Sequence, residues 1–404
     1  MHILIINHYA GSQNHGMEYR PYFLAKEWIK AGHAVTVIGA SFSHLRSVQP
    51  VCDSAVTIEN IEGIKYIWLQ TYGYHGNGLK RIINMLTFSS QVFMKEMPIL
   101  KPDVVIDSST YPLTIFGSHK IAKKHNAKLI FEVHDLWPLS PMELGGFSKM
   151  HPFIVIMQLA EDYAYKNADR VVSVLPNARE HMVKHGMAQE KFSYVPNGID
   201  INDWKLSHSP PKEHADVLEK LKQENKFVFG YVGAHGLSNA LRYFIEAAVL
   251  LKENNKIHFL LVGQGPMKKE LQAIAEREKL KNINFLPAVP KNTVPDILSC
   301  IDVFYIAANH NPLYRFGVSP NKMFDYMMAG KPIVNAIQAS NDLVAESGCG
   351  ITIPPANPPA IAEAIQSLYK LIPQERDAMG RQGNEFVLLN HDYVRLADRF
   401  LKGL

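Results

Sequence analysis

The chain has 404 residues, more than one hydrophobic core ordinarily supports, so two domains are expected, each with its own core. With 47% hydrophobic and 20% charged residues, its composition is that of a soluble globular protein and excludes fibrous, repeat-built and disordered classes. A net charge of +4 and a pI near 8.7 suit phosphate-bearing partners without pointing to nucleic acid. Three cysteines at unpaired spacings, Cys52, Cys300 and Cys349, argue against a disulfide framework or a zinc site and fit a reducing cytoplasm.

In chain order, "HILIIN" reads as a first buried strand: it lacks the basic flank and the apolar length of a signal peptide. No later run approaches a membrane span. "YFLAKEWIKAG" is helical, and the short apolar runs "AVTVIGAS", "DVVIDS", "KLIFEV" and "RVVSVL" alternate with further amphipathic stretches, as parallel strands with crossover helices do. Residues 77–101 are basic and amphipathic, with Lys80 and Arg81 beside Ile82, Ile83, Met85, Leu86 and Phe88. Both a crossover helix facing the core and a helix lying on a membrane surface fit them. In "KLIFEVHDLWP" a strand ends on His134 and Asp135, the place where open α/β sheets bind ligands. Trp137 beside it suits a core position as well as an acceptor platform.

"YVPNGIDINDW" closes the first series with an Asn-Gly turn, and "WKLSHSPPKEHADVLEK" has no apolar period, as a linker would. The boundary is set near residue 200. A second series follows: "FVFGYVG", "IHFLLVG", "INFLPAV", "VFYIAA", "KPIVNA" and "GITIPP". The expected fold class is α/β with two open sheets in tandem, over 1–200 and 201–387, and an amphipathic helix at 388–404 that could pack on either domain. In "FLLVGQGPMKKEL", Gly263 and Gly265 allow a ligand near backbone. "SPNKMFDYMMAGKPIV", residues 319–334, supplies an N-cap at Ser319, a first-turn Pro320, an apolar face and a stop at Gly330. A phosphate at that helix start would meet unpaired N–H groups and the Lys322 ammonium, with Asp325 one turn on to accept from a ribose diol. A capped surface helix with a Lys322/Asp325 pair is the plain alternative.

Taken together, "VPNGID", "LVGQGP", "FLPAVP" and "SPNKMFDYMMAGKPIV", in this order along nearly the whole chain, resemble glycosyltransferase family 4. Its members are retaining nucleotide-sugar transferases of the GT-B fold, two Rossmann-like domains facing each other across a cleft. The SPNK form and the N-terminal segment are most similar to the branch that builds bacterial O-antigen and capsule. The resemblance implies a donor site at Asp325, Ser319, Pro320, Val318 and Gly317, with Gly233, Gly265 and Gly11 on the bordering loops. It implies catalytic work for His134, Asn321 and Lys322. Gly317 stands where the family has its first glutamate, so that role should pass to backbone amides of residues 316–320 or to Asn321. Ala234 and Asn239 replace the usual Arg and Lys, leaving Lys322, Arg315 and Arg242 to neutralise the diphosphate. Glu18, Arg20, Asp135 and Trp137 are the candidate acceptor residues, Glu18 and Arg20 being equally readable as a solvated helix start.

The expected partners are a UDP-sugar and a saccharide on a polyprenyl diphosphate, at the inner face of the cytoplasmic membrane. No cofactor or metal and no nucleic acid is expected. A UDP-sugar 2-epimerase of the same fold and a non-catalytic nucleotide-sugar binder are the alternatives.

Overall fold

The computed structural model describes residues 1–16, 19–76, 78–206 and 208–403. They fall into two compact units, Met1–Asn197 with Tyr393–Leu404, and Gly198–Asp392. The division thus comes at 197/198, residues 388–392 go with the second unit, and the last helix goes with the first.

The first unit is built on eight strands: β1 (His2–Ile6), β2 (Ala34–Ala40), β3 (Val56–Ile61), β4 (Ile64–Leu69), β5 (Val104–Ser109), β6 (Lys128–Val133), β7 (Arg170–Ser173) and β8 (Phe192–Tyr194). Their order is β3-β4-β2-β1-β5-β6-β7-β8, so the order reverses between β1 and β5. Helices cover both faces of the central strands, which is why Ile3, Leu4, Ile5 and Ile6 are all buried and the run is apolar without alternation. All neighbours are parallel except β3 and β4, a hairpin whose turn residues Glu62 and Gly63 both take positive φ, 50° and 85°.

The helix Tyr393–Leu401 packs on the helix Tyr19–Lys30. The Trp28 indole N–H donates to Ala397 O at 3.0 Å, and the Phe400 and Tyr393 rings lie 5.4 and 5.1 Å from Trp28 and Phe23. The Arg170 guanidinium donates to the terminal carbonyl of Phe400 at 3.1 Å, where a cation suits a helix C-terminus. The helix Leu79–Met94 buries Asn84, Met85, Phe88, Gln91 and Val92, yet leaves Leu79, Ile83, Leu86, Phe93 and Met94 exposed. It is a crossover helix with a second apolar edge.

The second unit has six parallel strands, β9 (Phe227–Val232), β10 (Ile257–Val262), β11 (Ile283–Leu286), β12 (Val303–Ala307), β13 (Ile333–Ala336) and β14 (Gly350–Thr352), in the order β11-β10-β9-β12-β13-β14. Here the reversal lies between β9 and β12. Before β9, the stretch read as an unstructured linker holds the helix Lys212–Gln223, which buries His214, Leu218 and Leu221. Three buried positions satisfy the helical period, but the seven polar residues among the other nine hide it from a reading by hydrophobic runs. Among the described residues, no helix is long and apolar enough to cross a membrane.

Candidate functional site

In the second unit the carboxyl ends of β9 and β12 diverge at the switch point, and a cavity of about 110 Å³ opens there. Ser238 and Asn239 line it from the loop after β9, Ile306 to Ala308 from β12, and Val318, Pro320 and Lys322 from the start of the helix Asn321–Met328. That helix begins one residue later than the sequence implied. Pro320, not Ser319, is the N-cap and offers no side-chain acceptor; in the first turn Met323 N–H donates to Pro320 O at 3.0 Å, and the helix start carries no side-chain cap. The Lys322 ammonium donates to the Tyr231 hydroxyl at 2.7 Å and to Asn239 Oδ1 at 2.5 Å, using two of its three donors. Burial pushes its pKa down to about 8. Asn239 and the Tyr231 hydroxyl both donate on to Ala234 O, at 2.9 and 2.8 Å. The two positions that lack the family's cations therefore serve to position Lys322.

Asp325 is buried and pairs with Lys291, from the turn after β11. The other expected cations lie elsewhere. Arg315 is exposed, stacks on Phe316 and donates to Pro312 O, and Arg242 is exposed and paired with Glu246 at 2.9 Å. Neither lines the cavity, because each finds a partner on its own turn of chain. The backbone amides proposed to replace the missing glutamate are largely engaged too. Gly317 N–H donates to Tyr314 O at 3.0 Å, and Val318 N–H to Asn341 Oδ1 at 2.8 Å, while Pro320 has no N–H. Asn321, exposed in the first turn, is the side chain left for that role.

Gly263 and Gly265 do allow a close approach, but by protein. A Cβ on Gly263 would stand 1.9 Å from Gly233 O, and one on Gly265 2.4 Å from His235 O. The loops after β9 and β10 thus pack backbone to backbone. His235 is fully buried between them, both ring nitrogens lack a hydrogen-bond partner, and burial together with Lys268 and Lys322 pushes its pKa down to about 4. It is a neutral imidazole beside the diphosphate candidate site.

In the first unit, the ends of β1, β5 and β6 meet at the switch point. A chain of side chains runs from Asn7 to Ser108 (3.1 Å), from Ser108 to Glu132 (2.5 Å) and from Glu132 to His134 Nε2 (3.1 Å). Burial alone would raise the Glu132 carboxyl, but Arg20, His134 and Ser108 together hold it well below the usual range. Arg20 is itself buried, pairing with Glu132 at 2.8 Å and donating to Val195 O and Pro196 O. It anchors the VPNGID turn and is not an acceptor contact: its donors are consumed inside the unit. Asp135 and Trp137 line a small pocket of about 10 Å³, no larger than a water, with Thr110, Tyr111 and Tyr165. Gly11 is buried, its carbonyl accepting from Tyr66. Glu18 lies outside the described residues.

Sequence reasoning missed Lys291, Asn341 and His235 as site neighbours, and read only a basic fringe in Arg81. The last turns back from the helix Leu79–Met94 to the Tyr9 hydroxyl at 3.1 Å, beside the β1 loop. None sits in a motif, and only spatial neighbours reveal them.

Residues 15–203 match the family model described as Glycosyltransferase Family 4, and residues 226–370 match Glycosyl transferases group 1. Similar sequences include the putative colanic acid biosynthesis glycosyl transferase WcaI of Escherichia coli K12, 24% identical over 85% of this chain and 86% of that one. The probable glycosyltransferase WbjE of Pseudomonas aeruginosa is 23% identical over 73% and 72%. Among solved structures, Anabaena Alr3699/HepE in complex with UDP and glucose superposes with a TM-score of 0.68 at 17% identity, over 100% of this chain and 99% of that one. The chain is a member of the glycosyltransferases, of the family 4 type in its N-terminal part and the group 1 type in its C-terminal part, on the GT-B fold.

Proposed function

We propose that this glycosyltransferase acts with retention, moving an N-acetylated hexosamine or deoxyhexosamine from a UDP-sugar to a saccharide carried on a polyprenyl diphosphate, in bacterial surface polysaccharide synthesis. The colanic acid assignment of WcaI and the UDP in the HepE structure support that reading. One observation carries the donor assignment: the uncapped helix start at Asn321, with Lys322, facing the cavity at the β9/β12 switch point. As the bond from the anomeric carbon to the phosphate oxygen breaks, negative charge grows on the diphosphate, and the preorganised N–H groups and ammonium stabilise it. The acceptor hydroxyl attacks from the same face, and its proton passes to the departing phosphate oxygen. His134, oriented by Glu132, meets the developing positive charge at the anomeric carbon. Asn321 holds the sugar in place of the absent glutamate, and Asp325, steadied by Lys291, accepts from the ribose hydroxyls. No metal is assigned to the donor, since the helix start and Lys322 supply the charge. A 2-epimerase needs a carboxylate near the sugar ring, and no residue lining the cavity is acidic.

The acceptor's lipid places the first unit at the membrane. Besides the exposed edge of the helix Leu79–Met94, the helix Pro152–Asn167 exposes Val155, Ile156 and Leu159, with Phe147 and Met150 just before it. The helix Ile115–His125 packs between them and exposes Phe116 and the basic Lys120, Lys123 and Lys124. Apolar side chains with a basic fringe suit an anionic bilayer surface.

Calorimetry with UDP on the wild type and on Lys322→Ala and Asp325→Ala tests the donor site. Each substitution is expected to weaken UDP about tenfold or more. Equal affinity in all three proteins would sink the assignment, and product formation without any acceptor would favour the epimerase.

A further inference from the structure

We infer that the first unit carries a divalent-cation site of the zinc class, formed by Glu161, Asp162, His181 and His185. It does not depend on the donor site, which lies in the other unit.

Glu161 and Asp162 are consecutive on the helix Pro152–Asn167, and His181 and His185 are four apart on the helix Arg179–Lys184 and its C-cap. That spacing puts both imidazoles on one face, with ring centroids 4.6 Å apart. One ligand atom from each of Glu161, His181 and His185 lies within 4.8 Å of the other two. His185 Nδ1 is 3.0 Å from Asp162 Oδ1, and His181 Nε2 is 3.7 Å from Glu161 Oε1. Ligand atoms at about 2.0–2.1 Å from a tetrahedral ion stand roughly 3.4 Å apart, so small side-chain movements bring Glu161, His181 and His185 into range, with Asp162 beside His185 as the candidate fourth ligand. Two imidazoles and two carboxylates favour Zn²⁺, Co²⁺ or Ni²⁺ over Mg²⁺, which prefers oxygen alone.

The cluster also has the supporting shell of a metal centre. The Tyr165 hydroxyl donates to Glu161 Oε1 at 2.8 Å, and the Gln158 amide donates to Glu161 Oε2 at 2.8 Å and Asp162 Oδ1 at 2.7 Å and lies 2.9 Å from His185 Nδ1, a contact an entering ion displaces. These partners orient the carboxylates. Being neutral, they leave two negative charges, Glu161 at 3% side-chain exposure and Asp162 at 45%, to be balanced by a cation or by protonation of the imidazoles. The partly open imidazoles, at 14% and 30%, leave a way in for an ion. The sequence concealed the arrangement because β7 separates the two pairs.

The test uses the full chain with Cys52→Ser and Cys300→Ser, so that thiols do not bind the probe. Co²⁺ is titrated and followed by visible absorption, Zn²⁺ retained after dialysis is counted by elemental analysis, and the melting temperature is read with and without Zn²⁺. The expected result is one ion per chain, tetrahedral Co²⁺ bands and a Zn²⁺-induced rise in melting temperature. All three should be lost in His181→Ala/His185→Ala and sharply reduced in Glu161→Gln, while the melting temperature of the metal-free protein, the check on folding, stays close to that of the parent. Substoichiometric retention, or equal retention by the double variant, overturns the proposal. So do imidazole resonances that titrate with pH and do not move when Zn²⁺ is added, which would leave imidazolium as the balancing charge.

Discussion

Lys322 sits in its folded environment with a pKa near 8, and a bound diphosphate would draw its proton on more tightly. UDP affinity should therefore be level below pH 8 and fall by up to about tenfold per pH unit above it, as a proton must be taken up to bind. Calorimetry across pH 6.5–9.5 should show that slope in the wild type and not in Lys322→Met. Glu132 offers a second residue-scale prediction. Its depressed pKa contributes stability that is present above the unfolded carboxyl's range and is lost as pH falls through the folded value. At neutral pH, Glu132→Gln strands the buried Arg20 guanidinium and should cost about 3–5 kcal/mol in urea unfolding, whereas Arg20→Met with Glu132→Gln should recover part of it. The positions of Lys322 and His134 were legible because a helix start and a strand end fix where such side chains stand, whereas the pairing of Asp325 with Lys291 was not. Arg20 was misread because its partner lies 112 residues away, inside an apolar run. His235, Lys291 and Asn341 act through loops whose mutual approach no local pattern encodes.

The loop-to-loop contact after β9 and β10 is an element-scale device. Gly263→Ala would drive a methyl into the Gly233 carbonyl, so the loop holding Lys322's partners must move. Both a lower melting temperature and weaker UDP binding are expected, from a residue that need not touch the nucleotide. On the other unit, Ile83→Ser/Leu86→Ser with Ile156→Ser/Leu159→Ser removes exposed apolar surface only. Sedimentation with anionic vesicles should fall severalfold while UDP binding in solution is unaltered, and unchanged sedimentation would detach these helices from the membrane. Buried parallel strands were readable as apolar runs, most cleanly in the central β9 and β12, whereas the edge strands β11 and β14 are only partly buried. The β3–β4 hairpin escaped because its outer strand, "VTIENI", is half polar at a sheet edge. The helix Lys212–Gln223 escaped because its buried face is three residues wide.

At the scale of the molecule, the first unit is discontinuous in sequence: it takes its last helix from Tyr393–Leu401. Deleting the residues after Asp392 should uncover Phe23 and Trp28 and lower the melting temperature of that unit, while UDP still protects the second unit from heat. A single transition shifted as a whole would instead show the two to be thermally coupled. The sequence showed the helix and its possible return to the N-terminal domain but did not settle it, because an amphipathic helix at a chain end fits any apolar groove. It bears on the birth of the protein at the ribosome. When Asn197 leaves the exit tunnel, the sheet it completes still lacks the helix that seals Trp28 and Phe23. At about 5–20 residues per second, the rest of the chain takes roughly 10–40 s to appear. For that interval a nascent domain shows an aromatic groove to the cytosol, so the yield of this enzyme should depend on chaperones that bind during translation more than on those that act after release.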